Sequence, residues 1–201
     1  MEKTKVLMSF LFALLFTEAV TAQYGPKPFV QKRLMNFSTG LTGGVMIFNP
    51  VQDVYFNGNF SYCIEDQIAI RTDLVVFFPD ANFKGQLQKN SSILLGPEFH
   101  FPSGRFDMSL IFEPGISFVY LKDGTADKKT QMEPVLLTAM GFYYYIFQNF
   151  HVLAQVGYLH GNYFLESNDP FRLDELRVTG GIGINIFVNH TAAFNRKRVK
   201  F

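Results

Sequence analysis

The chain has 201 residues, with 18 Lys and Arg, 17 Asp and Glu, and a formal net charge of +1. A nearly neutral chain lacks the basic surplus that nucleic-acid binding requires, so nucleic acid is excluded as a partner. The single cysteine, Cys63, excludes an intramolecular disulfide, and one cysteine on a strand is typical of a small buried side chain.

Residues 1–22 have the layout of a secretory signal peptide. Lys3 and Lys5 give a positive start, an apolar run follows over 6–16, and small residues surround Ala22. A run of about 11 apolar residues is typical of a signal sequence and too short to span a bilayer. We therefore predict cleavage near Ala22; a short membrane anchor is the alternative interpretation.

The rest of the chain alternates between apolar and polar residues with a period of two. Such alternation predicts β-strands that have one apolar and one polar face. We predict eight strands, at about 36–48, 54–64, 67–78, 91–101, 105–121, 133–146, 150–160 and 175–189. Pro97 and Pro114 fall inside two of these strands, and because proline cannot donate to a ladder, we expect bulges or interruptions there.

The predicted connections differ in length in a regular way. The long ones, about 79–90, 122–132 and 161–174, all leave the same end of an up-and-down meander. Outer-membrane barrels combine short periplasmic turns with longer outer loops in this way. With eight strands, both ends of the barrel chain lie on the side of the short turns.

The composition of the two faces predicts which one meets lipid. No Lys lies inside any predicted strand, and the polar faces are mostly Gly, Ser, Asn and Thr, which fit a narrow lumen. The apolar faces are large and aromatic, like the lipid-facing belt of a membrane barrel. We predict an all-β, eight-stranded antiparallel up-and-down transmembrane β-barrel over 23–190, with a basic periplasmic tail over 191–201. The alternative is a soluble lipocalin-like carrier, whose apolar face would point inward.

Segments such as Phe112-Glu113-Pro114-Gly115 and Gly180-Gly181-Ile182-Gly183, together with the strand count and the signal peptide, resemble the small outer-membrane β-barrels of the OmpA/OmpX type. More narrowly, the chain resembles the PorT-like barrel family of Bacteroidetes. The resemblance implies an integral protein of the bacterial outer membrane, in a functionally mixed family that includes a few lipid-modifying enzymes. Because the sequence shows no convincing active site, we predict a non-enzymatic protein without a cofactor. Its expected partners are outer-membrane lipid and a protein bound through the outer loops or the periplasmic rim, such as a component of a secretion or assembly apparatus.

A set of charged residues is predicted to point into the barrel. Charges enclosed in a narrow lumen must be paired, so an interior salt-bridge network is the first interpretation and an ion path or proton relay the second. The predicted network consists of Arg71, Asp73, Glu98, His100, Asp107, Glu113 and Arg177.

Two weaker patterns suggest chemistry. His100 and Glu98 share one face of a strand and, with Ser92, suggest a lipid-modifying hydrolase or acyltransferase, which would need a nucleophile within reach of its base. His100, His151 and His160 suggest a metal site, but their spacing fits no ligand motif. We therefore predict no catalytic residue and no metal.

Overall fold

A computed structural model of the chain describes residues 29–48, 52–78, 87–121, 130–163 and 171–188. The predicted signal peptide, the predicted basic tail and most of the three long connections lie outside these ranges. Among the residues described, no helix is long and apolar enough to cross a membrane.

Eight long antiparallel strands form a closed barrel, as the sequence predicts. Strand β1 pairs with β2 on one side and with the last strand on the other, which closes the ring. A further two-residue strand, β8, extends the loop end of β7. The strands are β1 (Leu34–Met46), β2 (Gln52–Glu65), β3 (Ile68–Phe77), β4 (Leu87–Ser103), β5 (Phe106–Leu121), β6 (Gln131–Phe147), β7 (Phe150–Tyr163), β8 (Phe171–Arg172) and β9 (Glu175–Phe187).

The strands are staggered as they go around the ring. A path of paired residues, carried across a short gap in the β4–β5 pairing at unchanged register, leaves β1 at Asn36 and passes through Arg71 on β3. It returns to β1 at Met46, ten residues along the strand (46 minus 36). A stagger of this size requires strands that are tilted, by about 35–45°, to the barrel axis. Strands of 10 to 17 residues are long enough to cross the apolar zone of a bilayer at that tilt.

The two prolines interrupt one ladder without causing a bulge. Pairing between β4 and β5 runs to Leu94–Gly115 and resumes with the same register at Glu98–Ile111, and both prolines lie in the gap. Each keeps a partner on its other side, Pro97 opposite β3 and Pro114 opposite β6. The expected interruption is therefore present, and the strands continue through it.

Strand β4 begins earlier than predicted, at Leu87, and so includes Lys89. The prediction that no Lys lies inside a strand is wrong at this position. Lys89 lies near the loop end of the strand, where a membrane barrel leaves the apolar zone.

The bulky apolar side chains point outward, as predicted. Phe56, Ile70 and Ile184 are 43%, 48% and 51% exposed, and Leu110 lies on the same outer face of its strand. Within the described strands, no outward Lys, Arg, Asp or Glu interrupts the middle of this apolar belt. Among the side chains that the structure describes, outward charged groups lie at the ends: Lys32, Arg33, Glu65, Asp66 and Arg105 at the turn end, and Arg172 and Asp174 at the loop end.

The buried core lies inside the lumen, in apolar layers with polar groups between them. Along β3 the inward side chains read Ala69, Arg71, Asp73, Val75 and Phe77. Ala69 belongs to a turn-end apolar cluster, while Val75 and Phe77 belong to a cluster nearer the loops. The charged pair between them is therefore enclosed by apolar side chains above and below.

The chain preceding β1 covers the turn end of the lumen. Val30 is fully buried, and the ring of Phe29 stacks on Tyr145 with 4.3 Å between centroids. The Phe29 amide donates to the carbonyl of Gly104, in the turn between β4 and β5. These contacts hold residues 29 and 30 across the mouth of the barrel.

Glycine is required where the backbones of neighbouring strands approach closely. A Cβ on Gly40 or Gly181 would meet the backbone of the other strand in the β1–β9 pair, and Gly96 and Gly115 are in the same situation across β4 and β5. By contrast, a Cβ on Gly180 would meet nothing within 4 Å. Because these approaches are between backbones, neighbouring side chains cannot relieve them.

The neighbouring glycines Gly180 and Gly181 allow a matched test. Gly181→Ala places a methyl group against the β1 backbone, so we expect unfolding to become easier by about 1–3 kcal/mol, as for overpacked sites. Gly180→Ala adds the same atom in open space and should change stability by about 0.5 kcal/mol or less. Urea unfolding followed by far-UV circular dichroism measures both; equal effects would contradict the close approach.

Candidate functional site

Arg71 is the centre of the polar network in the lumen. Its fully buried guanidinium group makes two hydrogen bonds to Asp73, at 2.7 and 3.0 Å, and reaches Glu98 at 3.3 Å. From β3 it also crosses the lumen to Tyr143 on β6, at 2.5 Å, and to Gln155 on β7, at 2.8 Å. Arginine has five N–H donors, and each of them has an acceptor here.

Glu98 joins this arginine to the neighbouring strands. Its Oε1 accepts hydrogen bonds from the hydroxyl of Tyr143 at 2.7 Å and from that of Ser109 at 2.8 Å, in addition to the contact with Arg71. A fully buried carboxylate requires such donors, because water no longer solvates it. The carboxylate therefore links β3, β4, β5 and β6 within one group of contacts.

His100 extends the network toward the turn end. Its Nδ1 lies 2.6 Å from Asp107 Oδ2, and its Nε2 lies 3.6 Å from Glu98 Oε2. All three side chains are fully buried. The imidazole thus bridges two carboxylates on adjacent strands.

Glu113 has no hydrogen-bond partner among the described residues that line the lumen. Its Oε1 lies 3.8 Å from Arg71 Nε, and neither carboxylate oxygen has a hydrogen-bond partner in the described part of the chain. The side chain is fully buried. Its charge therefore depends on the single arginine that also serves Asp73 and Glu98.

Arg177 belongs to a separate group nearer the loops. Its Nε donates to Glu175 at 2.8 Å, and its guanidinium lies 4.6 Å from the centre of the Tyr55 ring. The Tyr55 hydroxyl lies 2.7 Å from Glu175 and 3.1 Å from Asp53, and it accepts from Asn90 at 3.1 Å. This group holds β2, β4 and β9 together across the lumen.

A third polar chain joins β1, β7 and β9. Ser38 Oγ lies 2.8 Å from His151 Nε2, and His151 Nδ1 lies 2.6 Å from Asn185 Oδ1. Because the Asn185 amide nitrogen donates to the carbonyl of Gln148, its oxygen faces the imidazole, which makes Nδ1 the donor and Nε2 the acceptor. These contacts have the order of a nucleophile, a base and an orienting group in a hydrolase. All three side chains are buried in the lumen, so we interpret their hydrogen bonds as structural links between the three strands.

The charges in the lumen are unequal. Among the described residues, seven buried inward carboxylates share the lumen with two guanidinium groups. The carboxylates are Asp53, Asp73, Glu98, Asp107, Glu113, Glu133 and Glu175, and the guanidinium groups are Arg71 and Arg177. In a medium of low dielectric constant, such an excess of carboxylates favours the uptake of protons and cations over that of anions.

The predicted network residues fall into two of these groups. Six lie together around Arg71: Arg71, Asp73, Glu98, His100, Asp107 and Glu113. Arg177 lies apart with Glu175. Tyr143, Gln155 and Glu175 complete the contacts but were not selected from the sequence. All three share the inward phase of the alternation on their strands, so the parity of each position is the signal that could have found them.

The structure separates the residues of the two weaker chemical hypotheses. Ser92 and His100 are eight residues apart on one strand, about 26 Å at the usual strand rise, and Ser92 hydrogen-bonds to Ser117 instead. The three histidines have different partners: Asp107 for His100, Asn185 and Ser38 for His151, and Asp174 for His160. In the ranges described, no group of three His, Cys, Asp or Glu side chains could hold a metal ion.

Comparison with solved structures places the fold among small outer-membrane barrels. The N-terminal β-barrel domain of OprF from Pseudomonas aeruginosa matches with a TM-score of 0.54 and 14% identity, over 77% of this chain and 98% of that one. Ail, the attachment invasion locus protein of Yersinia pestis, matches with a TM-score of 0.54 and 13% identity, over 78% and 100%. OprG from Pseudomonas aeruginosa gives 0.55 and 13%, over 81% and 100%. No family model and no curated protein matches the sequence.

The network predicts a strong dependence of stability on Arg71. Arg71→Met leaves Asp73 and Glu98 buried without their cation, so we expect a loss of about 3–5 kcal/mol in the free energy of unfolding. Arg71→Lys keeps the charge without the planar fork and should lose less. Urea titration in detergent micelles measures the difference.

The control for this test is Arg105→Met, since Arg105 is an exposed arginine in the turn between β4 and β5. It should unfold within about 0.5 kcal/mol of the wild type. Unchanged stability in Arg71→Met would contradict the central role of the arginine.

Proposed function

We propose that the chain is a non-enzymatic integral protein of the bacterial outer membrane, whose barrel anchors a partner-binding surface at the outer loops or at the periplasmic rim. The apolar belt carries this proposal. Its members on β9, including Ile182 and Ile184, are about half exposed, as are those on the other strands. A soluble protein rarely exposes so large a continuous apolar surface, whereas a membrane barrel requires one.

The arrangement of the two faces argues against a soluble carrier. A lipocalin-like barrel encloses an apolar ligand among inward apolar side chains. Here the inward side chains include Arg71, Glu98 and His100, all buried between the inward apolar layers, and the exposed apolar side chains face outward. An apolar ligand entering this lumen would remove charged groups from their partners.

The same arrangement favours an anchor over an enzyme. The clusters around Arg71, Arg177 and His151 lie inside the lumen and bind one another, while the outer face offers lipid contacts over most of its height. A small barrel of this type can nevertheless bind ligands, since Ail was solved in complex with the heparin analogue sucrose octasulfate. We infer a binding role of this general kind, with a component of a secretion or assembly apparatus as one class of partner.

Cell fractionation tests the location. A signal peptide cleaved near Ala22 and a barrel in the outer membrane should place the mature protein in the outer-membrane fraction, resistant to extraction by carbonate. Its folded form should run differently from the heated form on a denaturing gel. Recovery in the periplasm or the culture medium would contradict the proposal.

A charged substitution in the middle of the belt tests the contact with lipid. Ile182→Arg should destabilise the vesicle-inserted protein by about 2–4 kcal/mol, the cost of arginine near the bilayer midplane. Gln67→Arg, in the exposed turn between β2 and β3, is the matched control and should have little effect. Similar stability of both variants in urea titration would exclude a lipid-facing belt.

A further inference from the structure

A small polar cluster ends the apolar belt at the loop end of β7. His160 Nδ1 lies 2.5 Å from Asp174 Oδ1. The Asp174 side chain is 4% exposed although it belongs to the outer face, because Tyr158 and His160 cover it. The Tyr158 hydroxyl also interacts with this carboxylate.

The contact with Asp174 orients the histidine. A carboxylate is only an acceptor, so Nδ1 of His160 carries the proton of this hydrogen bond. The other ring nitrogen, Nε2, is left for a group outside the protein, and the side chain is 52% exposed. The carboxylate itself is covered and faces away from such a group.

Arg172 lies beside this histidine, further toward the loops. It pairs with Asn162 on β7, two residues beyond His160, and its guanidinium lies 4.8 Å from the centre of the Phe48 ring. Phe48 is 56% exposed. Stacking on an aromatic ring holds a guanidinium in place while its N–H edge stays open to a ligand.

Arg172 and His160 place two basic groups next to each other at this part of the loop end. Gln52 and Thr130, two other outward side chains that the structure describes at the loop end, are uncharged. Directly below them, Leu176 and Tyr158 begin the apolar belt. The surface therefore has hydrogen-bond donors for an anion at Arg172 and His160, and apolar side chains that can contact acyl chains directly below them, toward the middle of the belt.

We propose that His160 and Arg172 form a binding site for the phosphate of a phosphorylated glycolipid in the outer leaflet. This inference rests on the proposed function, because only a barrel inserted with its loops outward meets such headgroups. The arginine fork matches the geometry of phosphate oxygens, the exposed imidazole supplies a second donor when protonated, and the acyl chains lie along the belt beneath.

Native mass spectrometry of the detergent-solubilised protein tests the site, with bisphosphorylated lipid A as the probe and its dephosphorylated form for comparison. The wild type should retain the phosphorylated lipid preferentially. The double variant Arg172→Gln/His160→Gln should lose about tenfold in affinity for it, as expected for the loss of a charge-assisted hydrogen bond. Lys32→Gln/Arg105→Gln, at the opposite rim, is the matched control and should retain the wild-type preference.

Three results would overturn the site. They are equal binding of the phosphorylated lipid by the His160/Arg172 variant, an equal loss in the control variant, and full competition by inorganic phosphate at the lipid's own concentration, which would assign the site to a free anion. Insertion into lipid vesicles, assayed separately, distinguishes the two proposals. A protein that inserts but shows no preference refutes the site alone, whereas a protein that does not insert refutes the proposed function.

Discussion

Closure of the backbone ladder between β1 and β9 is the constraint on which the rest of the structure depends. Each long strand is paired on both sides, so no row of backbone N–H and C=O groups faces outward. In hydrocarbon an unpaired backbone group costs several kcal/mol, and closure removes that cost for the whole wall. Once the wall is closed, its outer face can be entirely apolar, and polar side chains are confined to the lumen or the ends.

Because the polar side chains of the strands are confined to the lumen, they form hydrogen bonds and ion pairs with one another there. Arg71 has an acceptor for each of its N–H groups because a buried guanidinium cannot obtain them from water. The lumen also contains fewer guanidinium groups than carboxylates, so carboxylates must share a cation. Glu113 shares Arg71 with Asp73 and Glu98. The lumen is thus a packed core that holds more carboxylates than guanidinium groups, and its contacts join opposite strands of the barrel.

The sequence predicts the fold well because alternation reports the face of each residue directly. It places Arg71 and Glu113 inward and Phe56 and Ile184 outward without knowledge of any contact. It does not predict the partners of Arg71 on β6 and β7, because these depend on the stagger accumulated around the ring, which no local pattern contains. The pairing of Ser92 with His100 fails for a different reason: eight residues on one strand are about 26 Å apart, so a shared face does not imply proximity.

The glycines at which backbones approach closely lie at two opposite strand boundaries of the barrel wall. The β1–β9 boundary, with Gly40 and Gly181, is diametrically opposite the β4–β5 boundary, with Gly96 and Gly115. These two boundaries, where glycine backbones approach each other without side chains between them, therefore divide the barrel wall into two halves. One half contains β1 to β4 and the other contains β5 to β9. The hydrogen bonds from Arg71 to Tyr143 and Gln155 run from one half of the wall to the other, so side chains in the lumen join the two halves that the glycine boundaries separate.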